Sequence, residues 1–91
     1  MALIIEHNSS AHRFETCMDD QLCVLDYSLD GDVMTMTHTG VPAVVGGRGI
    51  ASCLTRAALT KARSEGWTVV PACSYVASWM KRHQEFDDLR A

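Results

Sequence analysis

Residues 41–66 read VPAVVGGRGIASCLTRAALTKARSEG, and within them the pattern changes from strand to helix. The turn Gly46-Gly47-Arg48-Gly49 is rich in glycine, and apolar residues then recur at helical spacing until Gly66. Such a turn can hold a phosphate, because the first helical turn has unpaired N–H groups and the positive end of the helix dipole. Glycines also let the backbone approach an anion closely. By itself the turn is equally consistent with a plain tight turn.

Short β-prone segments precede this turn. The pattern predicts strands at residues 2–6, 12–18, 22–29 and 33–41. The dipeptide Asp30-Gly31 predicts a hairpin between the third and the fourth of them. In the fourth, alternation places Met34, Met36 and His38 on one face. Four strands at such short intervals indicate an antiparallel meander.

After the turn, the spacing of the apolar residues changes. The new pattern predicts a helix at 49–65, a strand at 67–70 that Pro71 ends, and a second helix at 74–83. The strand at 67–70 should lie parallel to the strand that ends at Val41, in a right-handed β-α-β crossover. The predicted fold class is therefore α+β, an antiparallel meander followed by a β-α-β-α unit with a short parallel strand pair. We predict a single domain over the 91 residues.

Composition argues against several classes of function. The chain has 8 basic and 11 acidic residues and a net charge of -3, whereas a nucleic-acid partner usually requires a basic surface. No apolar run is long enough to cross a bilayer, and the first ten residues lack the features of a signal peptide. The four cysteines form no CxxC pair, which indicates reduced thiols. We therefore expect a cytoplasmic protein with no nucleic-acid or membrane partner.

Cys73 stands between the end of the last predicted strand and the start of the second helix. A thiol at a helix N-terminus is shifted toward the thiolate by the helix dipole. Since ligands bind at the C-terminal ends of parallel strands, this thiol would lie beside the glycine turn. The alternative is a small buried residue at a crowded turn, which is the commoner role of a free cysteine. The patterned elements that contain Cys17, Cys23 and Cys53 predict that these three are core residues.

The histidines and a basic cluster at residues 81–83 could each have a structural or a functional role. His38 could act as a general base, or it could be a buried, hydrogen-bonded residue. The remaining histidines have no metal-ligand spacing with the cysteines, so we predict no metal site. The segment Lys81-Arg82-His83 either complements the dipole at a helix end or meets a ligand phosphate.

Known phosphate motifs fit the turn only in part. A P-loop requires a lysine that the turn lacks, and Ser52 stands where a dinucleotide fingerprint would have its third glycine. Three segments taken together are more specific: THTGVP at 37–42, GRGIA at 47–51 and VPACSYV at 70–76. In this order they resemble the minimal single-domain branch of the GNAT superfamily of acetyl-CoA-dependent N-acetyltransferases. The resemblance extends over residues 12–89.

The superfamily's motif [Q/R]-x-x-G-x-[G/A] falls on residues 46–51. Gly49 and Ala51 match it, while Gly46 replaces the expected Gln or Arg. The resemblance thus implies that acetyl-CoA or CoA is held by backbone N–H groups of the turn and by the side chains of Arg48 and Ser52. The pantetheine arm would pair with the strand end at 39–41. The cofactor-binding residues so implied are Thr39, Val41, Gly47, Arg48, Gly49, Ile50, Ala51 and Ser52.

The resemblance also implies an activity. The chain would transfer an acetyl group to an amine, either a small molecule or a peptide, with Cys73 as nucleophile or acetyl carrier, or only as a residue that lines the site. The amine must lose a proton to a base or a water chain, and His38 is our candidate base. Because the helices that larger members insert after the first strand are lacking, the acceptor site would be open or completed by another chain. Two alternatives stay open: a non-catalytic acyl-CoA-binding or sensing module, and a scaffold that works only within a larger complex.

Overall fold

A computed structural model describes residues 3–91 of the chain. The strands are β1 (Glu6–Asn8), β2 (Arg13–Met18), β3 (Gln21–Asp30), β4 (Val33–Gly40) and β5 (Thr68–Pro71). The helices are α1 (Ile50–Glu65) and α2 (Ser74–Arg82), and short 3₁₀ segments lie at Ser9–Ala11, Ala43–Val45 and Gln84–Leu89. Within residues 3–91, every helix falls short of the length and apolar content that a membrane span requires.

The strands form one five-stranded sheet in the order β1-β2-β3-β4-β5. Neighbours are antiparallel from β1 to β4, and β5 pairs parallel with β4. Gly31, with φ 59°, makes the tight turn between β3 and β4. The predicted α+β class, with its meander and its parallel strand pair, is confirmed.

The predicted bounds of the first strand are wrong. We predicted it at 2–6, but β1 begins at Glu6 and Ala2 lies outside the described residues. His7 pairs with Phe14 in the register of β1 on β2, and their rings stack with 4.3 Å between the centroids. The preceding segment is attached by a different contact, in which the Thr16 hydroxyl donates to the carbonyl oxygen of Ile4 at 2.7 Å.

Both helices pack on the same face of the sheet. This helix face carries one continuous core, in which Leu25, Met34 and Leu54 are fully buried. The opposite face, called here the open face, is covered by neither helix. Leu22 on this face keeps 52% of its surface exposed. The sheet therefore has one core side and one side on which a ligand could approach the strands.

Two of the three cysteines predicted as core residues are exposed. Cys23 is buried, but Cys17 and Cys53 are not. In β2 the core side is taken by Thr16, so alternation turns Cys17 outward. In α1 the buried stripe runs through Leu54, and Cys53 lies about 100° away around the helix axis.

A β-bulge interrupts the pairing of β3 with β4. Asp26 pairs with His38 and Tyr27 with Met36, so Thr37 is an additional residue in β4. The bulge reverses the alternation beyond Met36 and puts His38 on the open face. Our prediction that His38 shares the face of Met34 and Met36 is therefore wrong. The imidazole is exposed, which also removes the alternative of a buried histidine.

Candidate functional site

The candidate site lies where β4 and β5 diverge. The two strands pair as far as Met36 and Pro71, and the N–H of Cys73 then donates to the Met36 carbonyl oxygen at 2.9 Å. β4 continues to Gly40 with no strand paired on its β5 side in the described part of the chain. An exposed strand edge of this kind can bind an extended ligand through backbone hydrogen bonds.

The glycine turn leads directly into α1. Gly49 is the N-cap with φ 75°, and the N–H of Cys53 donates to its carbonyl oxygen at 3.1 Å, the first bond of the helix. The N–H groups of Ile50, Ala51 and Ser52 precede that bond and therefore have no partner within the helix. No side chain caps this helix end, and its first turn contains no acidic residue.

The space beside the turn is open as well. A Cβ atom built on Gly47 or Gly49 would meet no heavy atom within 4 Å. Both residues have φ above 70°, where side chains other than glycine are strained. The turn thus combines free N–H groups, a helix dipole and room for a bulky anion. These features fit a pyrophosphate.

Two side chains that we predicted to contact the phosphates have partners within the protein. Nη1 of Arg48 donates to Oδ2 of Asp19, in the turn between β2 and β3, at 2.8 Å. Nε1 of Trp79 donates to the Ser52 hydroxyl oxygen at 2.8 Å and joins α2 to the first turn of α1. The Ser52 side chain therefore helps to pack the helices, and its backbone N–H stays without a partner in the first turn of α1.

Cys73 is the N-cap residue of α2 and is partly buried. Burial by itself would raise the pKa of its thiol. The backbone N–H of Val76, the Thr39 side chain and the backbone groups of Tyr75 and Thr39 all favour the thiolate, and together they lower the pKa below its ordinary value. These contacts favour the thiolate form of Cys73 and make it the candidate nucleophile of the site.

Thr39 is the neighbour of Cys73 across the gap. Its Oγ1 lies 3.6 Å from Sγ of Cys73. We predicted Thr39 only as a contact for pantetheine, and its pairing with Cys73 was missed. Val41, the second predicted pantetheine contact, packs its side chain against the core, which leaves its backbone to meet a ligand.

His38 does not lie beside Cys73. Its imidazole occupies the open face, where a Cβ atom on Gly40 would come within 3.0 Å of Nε2, so the absence of a side chain at Gly40 leaves room for the ring. Cys73 lies at the start of α2, on the helix face. The two predicted catalytic residues thus flank the same stretch of β4 from opposite faces of the sheet, and they cannot contact each other directly.

Comparison with known proteins gives the family. The family model for GCN5-related N-acetyl-transferases matches residues 13–89. The chain belongs to the GCN5-related N-acetyltransferase family. The match includes the whole of β2 to α2, so the gap between β4 and β5 and the glycine turn both lie within the family domain. The predicted family and the predicted acyltransferase class are confirmed.

A solved structure supports the same fold. The NMR solution structure of a GCN5-like protein from Staphylococcus aureus superimposes with a TM-score of 0.77 over 97% of this chain and 87% of that chain, at 22% sequence identity. Since few residues are shared, the likeness describes the backbone alone. The two proteins therefore share the fold described above.

Proposed function

We propose that this chain binds acetyl-CoA, as acetyl donor, and transfers the acetyl group to an amine. The observation that carries the proposal is that α2 contacts two open features: the uncapped first turn of α1, through Trp79 and Ser52, and the unpaired edge of β4, where Cys73 lies beside Thr39. The first feature suits a pyrophosphate, and the second suits an extended chain with amide groups, such as pantetheine. Acetyl-CoA contains both, in that order.

The binding residues follow from this arrangement. The N–H groups of residues 47–52 would hold the pyrophosphate, with Gly47 and Gly49 leaving room for it. The backbone of Thr39 and Val41 would pair with the amides of pantetheine, as a neighbouring strand does. Arg48 would add a cationic contact if it exchanged Asp19 for the ligand. The thioester would then lie between Cys73 and the open face.

The lowered pKa of Cys73 supports a covalent route. Its thiolate would attack the acetyl carbon, the thioester C–S bond would break, and CoA would leave as a thiolate that takes up a proton. The amine nitrogen would then attack the acetyl-cysteine, which forms the C–N bond and returns the Cys73 thiolate. The proton of the new ammonium group must go to a base or to water.

His38 is the base that we propose for that last proton. Because the imidazole lies on the open face, it could act only on an acceptor that approaches from there, while Cys73 acts from the helix face. These two roles agree with the burial of the two side chains, because His38 is exposed on the open face and Cys73 is partly buried on the helix face. The four free thiols suit a reducing compartment, which supports a cytosolic location.

The test is turnover of acetyl-CoA with a panel of amines, measured as release of free thiol, in the native protein and in Cys73→Ser. The proposal expects turnover in the native protein, a large loss in Cys73→Ser, and equal CoA affinity in both by calorimetry. Binding without turnover for every amine would support an acyl-CoA-binding module instead. Absence of CoA binding would overturn the proposal as a whole.

A further inference from the structure

Two basic side chains have no acidic partner within residues 3–91. The chain has eight Lys and Arg residues, and six of them form ion pairs with Asp or Glu. The other two, Lys81 and Arg82, are exposed in the last turn of α2. In a chain of net charge -3, an unpaired cation is available to an anionic ligand.

The position of Arg82 on α2 distinguishes it from Lys81. Tyr75, Trp79 and Arg82 are spaced by four and then three residues, so they lie along one stripe of the helix. Trp79 attaches this stripe to the first turn of α1 through its bond to Ser52. Lys81 lies about 100° away around the axis and points elsewhere.

The direction of the Arg82 side chain follows from helix geometry. Long side chains on a helix lean toward its N-terminus, over the preceding turn. Arg82 therefore leans toward Tyr75, on the side of α2 where Trp79 contacts the first turn of α1. The electrostatics agree: burial raises the pKa of Tyr75, and the charge of Arg82 acts on that phenol in the opposite direction. Arg82 is thus a guanidinium without an acidic partner among residues 3–91, on the side of α2 that contacts the first turn of α1.

We propose that Arg82 binds the 3′-phosphate of CoA, the phosphate on the ribose beside the pyrophosphate. The inference deepens the proposed function and rests on it. With the pyrophosphate at residues 47–52 and pantetheine along β4, the nucleotide would extend away from β4, and α2 is the element that contacts the first turn of α1. A guanidinium can hold a phosphate monoester through two parallel N–H···O bonds, and Arg82 is the guanidinium on this side of α2 that has no acidic partner in the described residues.

The experiment compares CoA with 3′-dephospho-CoA by isothermal titration calorimetry. The native protein should bind CoA more tightly by roughly tenfold, the scale of a charge-assisted hydrogen bond at a partly exposed site. Arg82→Ala should remove that preference, because it should lower the affinity for CoA and leave the affinity for 3′-dephospho-CoA unchanged. Arg82→Lys should keep part of it, because the charge remains and the planar fork is lost. The matched control Lys81→Ala removes the same charge one position away and should retain the full preference.

Several results would overturn the proposal. One is equal affinity of the native protein for the two ligands. Another is an equal loss in Arg82→Ala and Lys81→Ala, which would mean a general effect of net charge. A third is an equal loss of affinity for both ligands in Arg82→Ala. All three leave CoA binding itself intact, and so differ from failure of the proposed function, in which the native protein binds neither ligand.

Discussion

The hydroxyl oxygen of Thr39 lies 3.6 Å from the sulfur of Cys73, across the gap between β4 and the start of α2. The two residues are 34 positions apart in the chain and meet only because the β-α-β crossover returns α2 to the end of β4. A hydroxyl at this place can donate to a thiolate and stabilise it. Thr39 therefore couples the proposed pantetheine strand to the proposed nucleophile.

We predict that Thr39→Val slows alkylation of Cys73 at pH 7. Loss of the hydroxyl removes one of the groups that lower the pKa of the thiol, so the pKa rises and less thiolate is present at neutral pH. A fall of about two- to tenfold in rate corresponds to one hydrogen bond. The measurement is iodoacetamide labelling as a function of pH, with peptides resolved by mass spectrometry.

Two other cysteines of the same protein, Cys17 and Cys53, serve as internal controls in this labelling experiment. In the folded protein Cys17 and Cys53 are more exposed than Cys73, so access alone would make them faster. We expect Cys73 to react first nevertheless. Thr35→Val, a substitution of the same kind on the open face of β4, should leave the Cys73 rate unchanged. Equal slowing by both variants would show that the strand, and not the hydroxyl, controls the thiol.

We predict that His7 makes the fold less stable in mild acid. Its Nε2 lies 2.6 Å from the Tyr27 hydroxyl, and its pKa is lowered from 6.5, first by burial and then by Lys61, with Glu65 opposing. The folded state therefore binds a proton less readily than the unfolded chain. The free energy of unfolding should be fully retained above pH 6.5 and should fall as the pH drops below it.

The check is urea denaturation at a series of pH values across that range. His7→Phe keeps a ring to stack on Phe14 but cannot titrate. It should be less stable than the native protein at pH 7.5, where the hydrogen bond to Tyr27 is lost, and should show a shallower decline toward about pH 5.5. A slope as steep as that of the native protein would assign the decline to other groups.

We predict that Gly49→Val abolishes CoA binding and leaves a folded protein. A β-branched residue at φ 75° is strained, at a cost of about 1–2 kcal/mol, and its side chain would occupy the open space beside the turn. Gly31→Val is the matched control, since Gly31 also has positive φ and open space but lies in the β3–β4 hairpin. The control should lose similar stability and keep its CoA affinity, as measured by calorimetry. If Gly49→Val binds CoA like the control, the turn is purely structural.

Most helices and strands are predictable from the sequence because the signals that define them are local. Hydrophobic period, the Asp30-Gly31 turn and Gly66 determine where strands and helices begin and end. The bulge at Thr37 has no such signal, since the residues around it continue to alternate. For that reason His38 was assigned to the wrong face. Contacts such as Trp79 with Ser52 depend on how two helices pack, which local patterns do not describe.

The candidate site likewise combines features with a local sequence signal and contacts that depend on tertiary packing. The segment around Cys73 could be singled out because a helix start and a strand end are both visible in sequence. Its partner Thr39 is predictable by placing the ends of the two parallel strands side by side, since both segments are recognisable in the sequence. The pairing of Arg48 with Asp19 is not predictable in this way, because it joins two turns from separate hairpin and crossover units.

We predict that Asp19→Asn strengthens CoA binding. Nη1 of Arg48 donates to the Asp19 carboxylate at 2.8 Å, and both side chains are about half exposed or more. A pyrophosphate at the glycine turn must compete with that carboxylate for the guanidinium and also lies near its negative charge. Removing the charge should therefore raise CoA affinity by about two- to fivefold, the scale of one exposed ion pair.

Salt and a matched variant separate this effect from others. The gain should shrink as ionic strength rises, because the interaction is exposed to solvent. Asp88→Asn removes a carboxylate from the ion pair with Arg63, between α1 and the C-terminal segment, and gives the same change in net charge. It should leave CoA affinity within error of the native value. If Asp19→Asn weakens CoA instead, then Asp19 orients Arg48 toward the phosphates, and the pair is part of the binding site rather than a competitor to it.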